Sequence, residues 1–339
     1  MDSNIIATNK TNSDNRTEQG QDPQLPKCRY LLDSSTSSTF TLPSGRQLGW
    51  AEYGTPNGSA ILYFHGLPGS RLEASRYHSL AESLGARIIA IDRPGIGLSS
   101  PCANRTVLSW ADDVAHLVQH LGLESYSVMG VSGGGPYALS CAASLPATQL
   151  KCVAVICGLG PPDMSMWAAD WMHWLSFPYG WRYAPAYLIE CFFRLDAFGR
   201  MDLSDEERER RMLDPKTLAK IKNDKDRRII GDVDFLRLGL KATREANRQG
   251  FEGVAMDGRV ICSDWGFKIE DIRRDLPVWL WYGGKDVFIP PNHGRGIAER
   301  LGGEQGKVVL RMKEEDTHYS ISQDWQREQL EAILAEMRR

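Results

Sequence analysis

At 339 residues the chain is long enough for two ordinary domains, or for one large domain carrying an insertion. With 42% hydrophobic and 24% charged residues it holds material for a large core, which excludes fibrous, collagen-like and wholly disordered chains, and a net charge of −3 excludes a whole-chain electrostatic footprint for nucleic acid or anionic lipid. The seven cysteines are odd in number and scattered, several inside apolar runs, which fits reduced packing residues and a cytoplasmic setting better than a disulfide framework.

Residues 1–37 are dominated by Asn, Thr, Ser, Gln, Asp and Glu, too polar to offset the entropy of ordering, and read as a disordered leader. The first residues lack a basic segment followed by an apolar stretch, so no secretory signal is expected, and no apolar run reaches bilayer length. From Ser38 the texture changes. Thr39 to Leu42 and Gln47 to Tyr53 are β-prone, with Pro43-Ser44-Gly45 between them as turn chemistry, and predict a hairpin. Four apolar strand candidates follow: Ala60 to Phe64, Arg87 to Ile91, Tyr126 to Met129 and Cys152 to Ile156. Helical patterns near Leu72 to Leu84, Trp110 to Leu121 and Pro136 to Leu145 separate them. Uninterrupted apolar strands alternating with helices predict a parallel sheet covered on both faces.

After Gly158 the rhythm stops. Between Met164 and Phe193 ten of thirty residues are aromatic, against 9% for the chain, and Ser204 to Gly250 then carries thirteen Lys/Arg and ten Asp/Glu with the signs interleaved, as in solvated helices. Alternation resumes with a strand at Val278 to Tyr282, a helix at Asn292 to Leu301, a strand at Lys307 to Arg311 and a helix at Trp325 to Met337. The expected organisation is therefore an α/β core of residues 38–160 and 266–339, interrupted by a helical cap of residues 161–265.

Ser127-Val-Met-Gly130-Val-Ser132-Gly133-Gly134 runs from a strand through Gly-x-Ser-x-Gly into a helix, the pattern of a nucleophile elbow. Cβ atoms at Gly130 and Gly134 would collide with the neighbouring helix and strand, so glycine is needed on both sides of Ser132. Upstream, the first central strand ends in His65-Gly66-Leu67-Pro68-Gly69, a loop able to aim a backbone N–H at a carbonyl oxygen held against Ser132. The N–H groups of Leu67 and Gly133 are the expected oxyanion donors, Gly66 permits close approach, and His65 is read as ordering this loop rather than as a base. In the chain order of such sites, the acid is expected at Asp286, just past one core strand, and the base at His318, just past the next.

In these pieces, together with the turn Asp92-Arg-Pro-Gly95-Ile-Gly97-Leu-Ser99, the chain from about 40 to 337 resembles the α/β-hydrolase superfamily. The resemblance implies an eight-stranded, mostly parallel sheet with a helical cap inserted after the sixth strand, and cofactor-free hydrolysis of esters, thioesters, lactones or peptides. Relatives with similar His-Gly and Asp-Arg-Pro-Gly turns, the epoxide hydrolases and haloalkane dehalogenases, carry Asp where this chain has Ser132, which disfavours those activities.

Competing motifs are weaker. Gly133-Gly-Gly135-Pro-Tyr-Ala138 spells a dinucleotide fingerprint, but the next strand ends at Cys157-Gly158 without a carboxylate for a ribose. His116 and His120 are four apart, yet Leu117 stands where a zinc protease needs Glu. No cofactor and no catalytic metal are expected. Met164, Trp167, Trp171 and Trp174 recur at helical spacing, so one face of a helix is expected to be apolar, packed on the core or walling a pocket, with Trp265 as a further wall. His173 in this stripe reads as a partly buried surface residue. The favoured function is a serine hydrolase of a small to medium apolar ester, lactone or thioester. The alternatives are C–C cleavage, lyase or cyclase chemistry on the same residues, and a small-molecule receptor on a hydrolase scaffold. Oligomeric state is not legible in the sequence.

Overall fold

A computed structural model describes residues 28–339. Eight strands form one sheet in the order β1-β2-β4-β3-β5-β6-β7-β8. They are β1 (Ser37–Thr41), β2 (Gln47–Gly54), β3 (Ser59–Phe64), β4 (Ala86–Ile91), β5 (Tyr126–Val131), β6 (Leu150–Ile156), β7 (Val278–Gly283) and β8 (Val308–Lys313). β2 runs antiparallel to β1 and β4, and every other pairing is parallel. In β3 the side chains alternate between faces. Leu62 and Phe64 join the core layer under helices Trp110–His120 and Gly135–Ser144, whereas Ile61 and Tyr63 join the layer under His78–Leu84 and Gln326–Met337. Both faces are covered over the centre of the sheet, which is why β3, β5 and β6 are apolar along most of their length, whereas the edge strands β1 and β8 carry polar residues.

Two boundaries have clear local causes. The helix His78–Leu84 stops at Gly85, which takes the left-handed conformation at φ 70°. Gly135–Ser144 stops at Leu145, held extended ahead of Pro146. The stretch expected as one helix from Leu72 divides, its first part winding as a 3-10 helix over Arg71–Tyr77. A helix unannounced in the sequence reading, His318–Gln323, follows β8 and opens on Thr317, whose hydroxyl accepts from Ser320 N–H while the Ser320 hydroxyl accepts from Thr317 N–H.

Between β6 and β7 the chain leaves the sheet and forms the cap helices Trp171–Leu175, Ala186–Phe193, Asp205–Met212, Asp224–Ile230, Val233–Ala246 and Glu252–Ile261. Side chains of Asp170, Ser204, Asn223 and Asp232 accept the free N–H groups at the starts of four of them. Most of the expected leader, residues 1–27, lies outside the described residues. Its last part makes definite contacts: Arg29 bonds Asp232 at 2.6 Å and its N–H donates to Asp234, so a cation in an otherwise polar stretch finds the acidic start of a cap helix. Among the described residues no helix is long and apolar enough to cross a membrane.

Candidate active site

The loops at the carboxyl ends of β3, β5, β7 and β8 converge on one point. Ser132 closes β5 with φ 53°, a left-handed conformation that an L-residue adopts only under constraint. The constraint is visible on either side. A Cβ on Gly130 would overlap the Gly134 carbonyl, and one on Gly134 would overlap the Phe64 carbonyl at the end of β3. Ser132 Oγ lies 3.0 Å from His318 Nε2, and His318 Nδ1 lies 2.7 Å from Asp286 Oδ2. The second Asp286 oxygen accepts the N–H groups of Phe288 and Ile289 at 2.8 and 2.9 Å, which fixes the carboxylate and leaves Oδ2 to the imidazole. Asp286 is buried and His318 is almost so. Burial alone opposes the imidazolium, but the Asp286 carboxylate and the adjacent Cys157 outweigh it, and the His318 pKa lies well above its usual value.

The His65–Gly69 loop passes directly over the elbow. A Cβ on Gly133 would come within 3.3 Å of the Leu67 nitrogen, and among the described residues the Leu67 N–H has no hydrogen-bond acceptor. Gly133 lies in the first turn of the helical segment after the strand, where N–H groups have no intrahelical partner. Gly66 donates to Glu73 Oε2 at 3.0 Å, and Glu73 is held in turn by the Tyr63 hydroxyl and Arg76. His65 is fully buried. Its Nδ1–H donates to the Gly66 carbonyl at 2.8 Å and its Nε2 accepts from Arg93 N–H, while burial and the Arg93 cation hold its pKa well below the usual value.

Residues that the sequence reading did not single out tie the cap to each of these loops. Arg93 donates to the carbonyls of His65 and Gly66 at 2.6 and 2.9 Å and pairs at 2.7 Å with Asp257 of cap helix Glu252–Ile261. Asp257 also accepts from the Tyr137 hydroxyl, and although desolvation raises its pKa, Arg93 and Arg105 pull it down to about 2. Asp170 N–H donates to the Val287 carbonyl beside Asp286. Lys225 pairs with Asp316 at 2.5 Å, and the Thr317 hydroxyl donates to Asp226, one residue before His318. No sequence signal links these pairs, since their partners are more than ninety residues apart.

The tryptophan stripe departs from expectation. Residues 161–170 run as turns and only Trp171–Leu175 is helical, so Met164, Trp167, Trp171 and Trp174 do not share one helix face. Trp167 and Trp171 are 79% and 74% exposed and Trp174 is 48% exposed, so they do not wall a closed pocket. Trp265 is buried in the core, its indole N–H donating to the Ile261 carbonyl. The cap side chain beside the site is instead His173, paired with Asp170 at 2.7 Å and stacked on Phe288, whose ring lies 5.2 Å from that of His318. His120 stacks on Phe40, and among the described residues no metal-ligating cluster forms at His116 and His120.

A family model described as alpha/beta hydrolase fold matches residues 59–311, and the chain belongs to that family. Among curated proteins it is similar to a probable proline iminopeptidase of Streptomyces coelicolor, 32% identical over 126 residues that make up 34% of this chain and 38% of the relative. It is also similar to a non-heme chloroperoxidase of Streptomyces lividans, 32% identical over 128 residues, 37% of this chain and 46% of that one. The chain thus spans under half the length of these relatives. Among solved structures it shares its fold with carboxylesterases of Nitrososphaera gargenis (TM-score 0.59, 18% identity, 88% of this chain and 98% of that one) and an esterase of Exiguobacterium antarcticum (TM-score 0.57, 15% identity, 88% and 99%).

Proposed function

We propose that this protein is a serine hydrolase that cleaves a small to medium apolar carboxylic ester, lactone or thioester through an acyl-enzyme on Ser132. The observation that carries the reading is the continuous chain of hydrogen bonds from Ser132 Oγ through His318 to Asp286. With Asp286 accepting from Nδ1–H, the lone pair of Nε2 faces the Ser132 hydroxyl and takes its proton as the oxygen attacks the carbonyl carbon. Negative charge developing on the carbonyl oxygen is received by the N–H groups of Leu67 and Gly133, which need no reorganisation to accept it. His318 then protonates the leaving group, and a water activated by the same nitrogen releases the acyl group. The apolar substrate class is supported by Phe288 and the ring of Tyr319 beside His318, which offer hydrocarbon and π surface to an acyl chain.

A second reading, favoured by the iminopeptidase relatives, is cleavage of an amide after an N-terminal proline. Initial rates on p-nitrophenyl esters from acetate to long acyl chains, alongside proline p-nitroanilide, separate the two. Ester turnover that exceeds anilide turnover and vanishes in Ser132→Ala supports the first reading; the reverse preference supports the second. Ester turnover unchanged in Ser132→Ala refutes both.

A further inference from the structure

Cys157 has no part in the hydrolytic scheme, yet it stands against its base. It ends β6 with φ 41°, its N–H donating to the Trp281 carbonyl at 2.8 Å, and its Sγ lies 3.8 Å from His318 Nε2. The ligand atoms of Cys157, Asp286 and His318 fall within 4.8 Å of one another, the one such group among the described residues.

We propose that Cys157 Sγ and His318 Nε2 form a binding site for a thiophilic divalent cation, Zn2+ or Cd2+, whose occupancy shuts the hydrolase off. Zinc–sulfur and zinc–nitrogen bonds of ~2.3 and ~2.0 Å at tetrahedral angles set the donors roughly 3.5 Å apart, so the pair needs an adjustment of only a few tenths of an ångström. The imidazole is already oriented as metal-bound histidines are, with Nδ1–H given to a carboxylate and Nε2 turned toward Cys157 Sγ and Ser132 Oγ. Ser132 Oγ, 3.0 Å from Nε2, and water complete the coordination. On binding, the metal–sulfur and metal–nitrogen bonds form, the thiol proton and any proton held on Nε2 pass to solvent, and no electrons are transferred. The thiolate and Asp286 then balance the two positive charges. Cys157 itself is buried, but Ser132 and His318 each keep a part exposed to solvent, and the ion enters by the route open to substrate. Because the ion occupies the lone pair that receives the Ser132 proton, binding and turnover exclude each other. This inhibitory consequence rests on His318 serving as the base; the binding itself does not.

The test uses the full chain stripped with a chelator and titrated with CdCl2 and ZnCl2, comparing wild type, Cys157→Ala, Cys157→Ser and Ser132→Ala. Two readouts are taken: thiolate-to-cadmium charge-transfer absorbance, and ester hydrolysis scaled to each variant's own ion-free rate. Cys28, Cys102 and Cys191, all accessible to some degree, contribute equally to every variant and cancel in the differences. Wild type and Ser132→Ala are expected to show a tight absorbance step that both Cys157 variants lack. In wild type, hydrolysis should fall with that step and return on adding chelator, while the inhibitory concentration rises about tenfold or more without the thiol. Equal absorbance and equal inhibition in wild type and both Cys157 variants would overturn the site. Hydrolysis that survives in Ser132→Ala defeats the functional reading instead, and the absorbance comparison still decides whether the ion binds.

Discussion

Core and cap of this protein share one apolar cluster but differ in how much of their apolar surface they bury. In the core, Ile61, Leu62, Tyr63 and Phe64 of β3 and Val153 to Ile156 of β6 are all fully buried. In the cap, ten large apolar side chains between Trp167 and Leu195 are more than 40% exposed, and the chain is pinned down by buried or half-buried polar pairs. Apolar burial thus fixes the sheet on which Ser132 stands, whereas the cap joins the same core through Met166, Trp181, Ile189, Val254 and Ile261 and adds polar ties to the loops over the site. The cap ties reach different loops of the site: Asp257 through Arg93 to the carbonyls of His65 and Gly66, Asp170 by its backbone N–H to the loop holding Asp286, and Asp226 directly to the turn before His318. The cap therefore reaches the loops of the site through a few bonds laid over an apolar interface.

Four perturbations sharpen this contrast, in decreasing order of effect. Asp286→Asn leaves the core packing intact but reverses the imidazole tautomer, and kcat for ester hydrolysis is expected to fall on the order of 10⁴-fold with the far-ultraviolet dichroism unchanged. A loss below tenfold would mean that His318 does not depend on that carboxylate. Asp257→Ala leaves Arg93 buried without its counter-charge and is expected to lower unfolding free energy by about 3–5 kcal/mol in urea titration, with kcat falling as the carbonyls of His65 and Gly66 loosen. A destabilisation under about 1 kcal/mol would show that the cap rests on something other than this pair.

The third perturbation is pH. Because the folded His318 pKa is raised, log kcat/KM is expected to climb through an acid limb centred above ~6.5, the ordinary histidine value. The stability sign is opposite: the raised pKa stabilises the fold below ~6.5, and that contribution is lost as pH rises through the folded value. Activity should therefore gain in the window where this stabilisation fades. An acid limb centred near 5 would contradict the assignment. The smallest effect is expected at Trp171→Ser, which touches an exposed cap position and should change unfolding free energy by no more than ~0.5 kcal/mol. A larger loss would mean that the aromatic face is covered in solution.

The contrast also explains what could be read from the sequence. Strands β3 to β7 were legible because a parallel sheet buried on both faces writes itself in largely apolar runs, β8 by its place in the alternation, and the convergence of Ser132, Asp286 and His318 was legible because each lies just past the carboxyl end of a strand. In the aromatic segment of the cap, between Trp167 and Leu195, the link between apolarity and burial fails. The spacing of Trp167, Trp171 and Trp174 looks helical, but Ala168 takes φ 78°, a left-handed conformation through which a helix does not continue, so the first half of the pattern does not share the face of Trp171–Leu175. The ties through Asp257, Asp170 and Asp226 were illegible for another reason: a charged residue on a polar helix is unremarkable until its distant partner is in place. The short helix at His318 left only the faint trace of Thr317 and Ser320.

The most direct measurement is reaction of the intact protein with a fluorophosphonate probe followed by peptide mass spectrometry. A hydroxyl activated by His318 and facing the N–H groups of Leu67 and Gly133 should yield one adduct, on Ser132, that forms at least a hundredfold more slowly in His318→Ala, on the order of what general-base catalysis contributes. An adduct on another residue, or equal labelling of wild type and Ser132→Ala, would contradict the assignment of Ser132 as nucleophile.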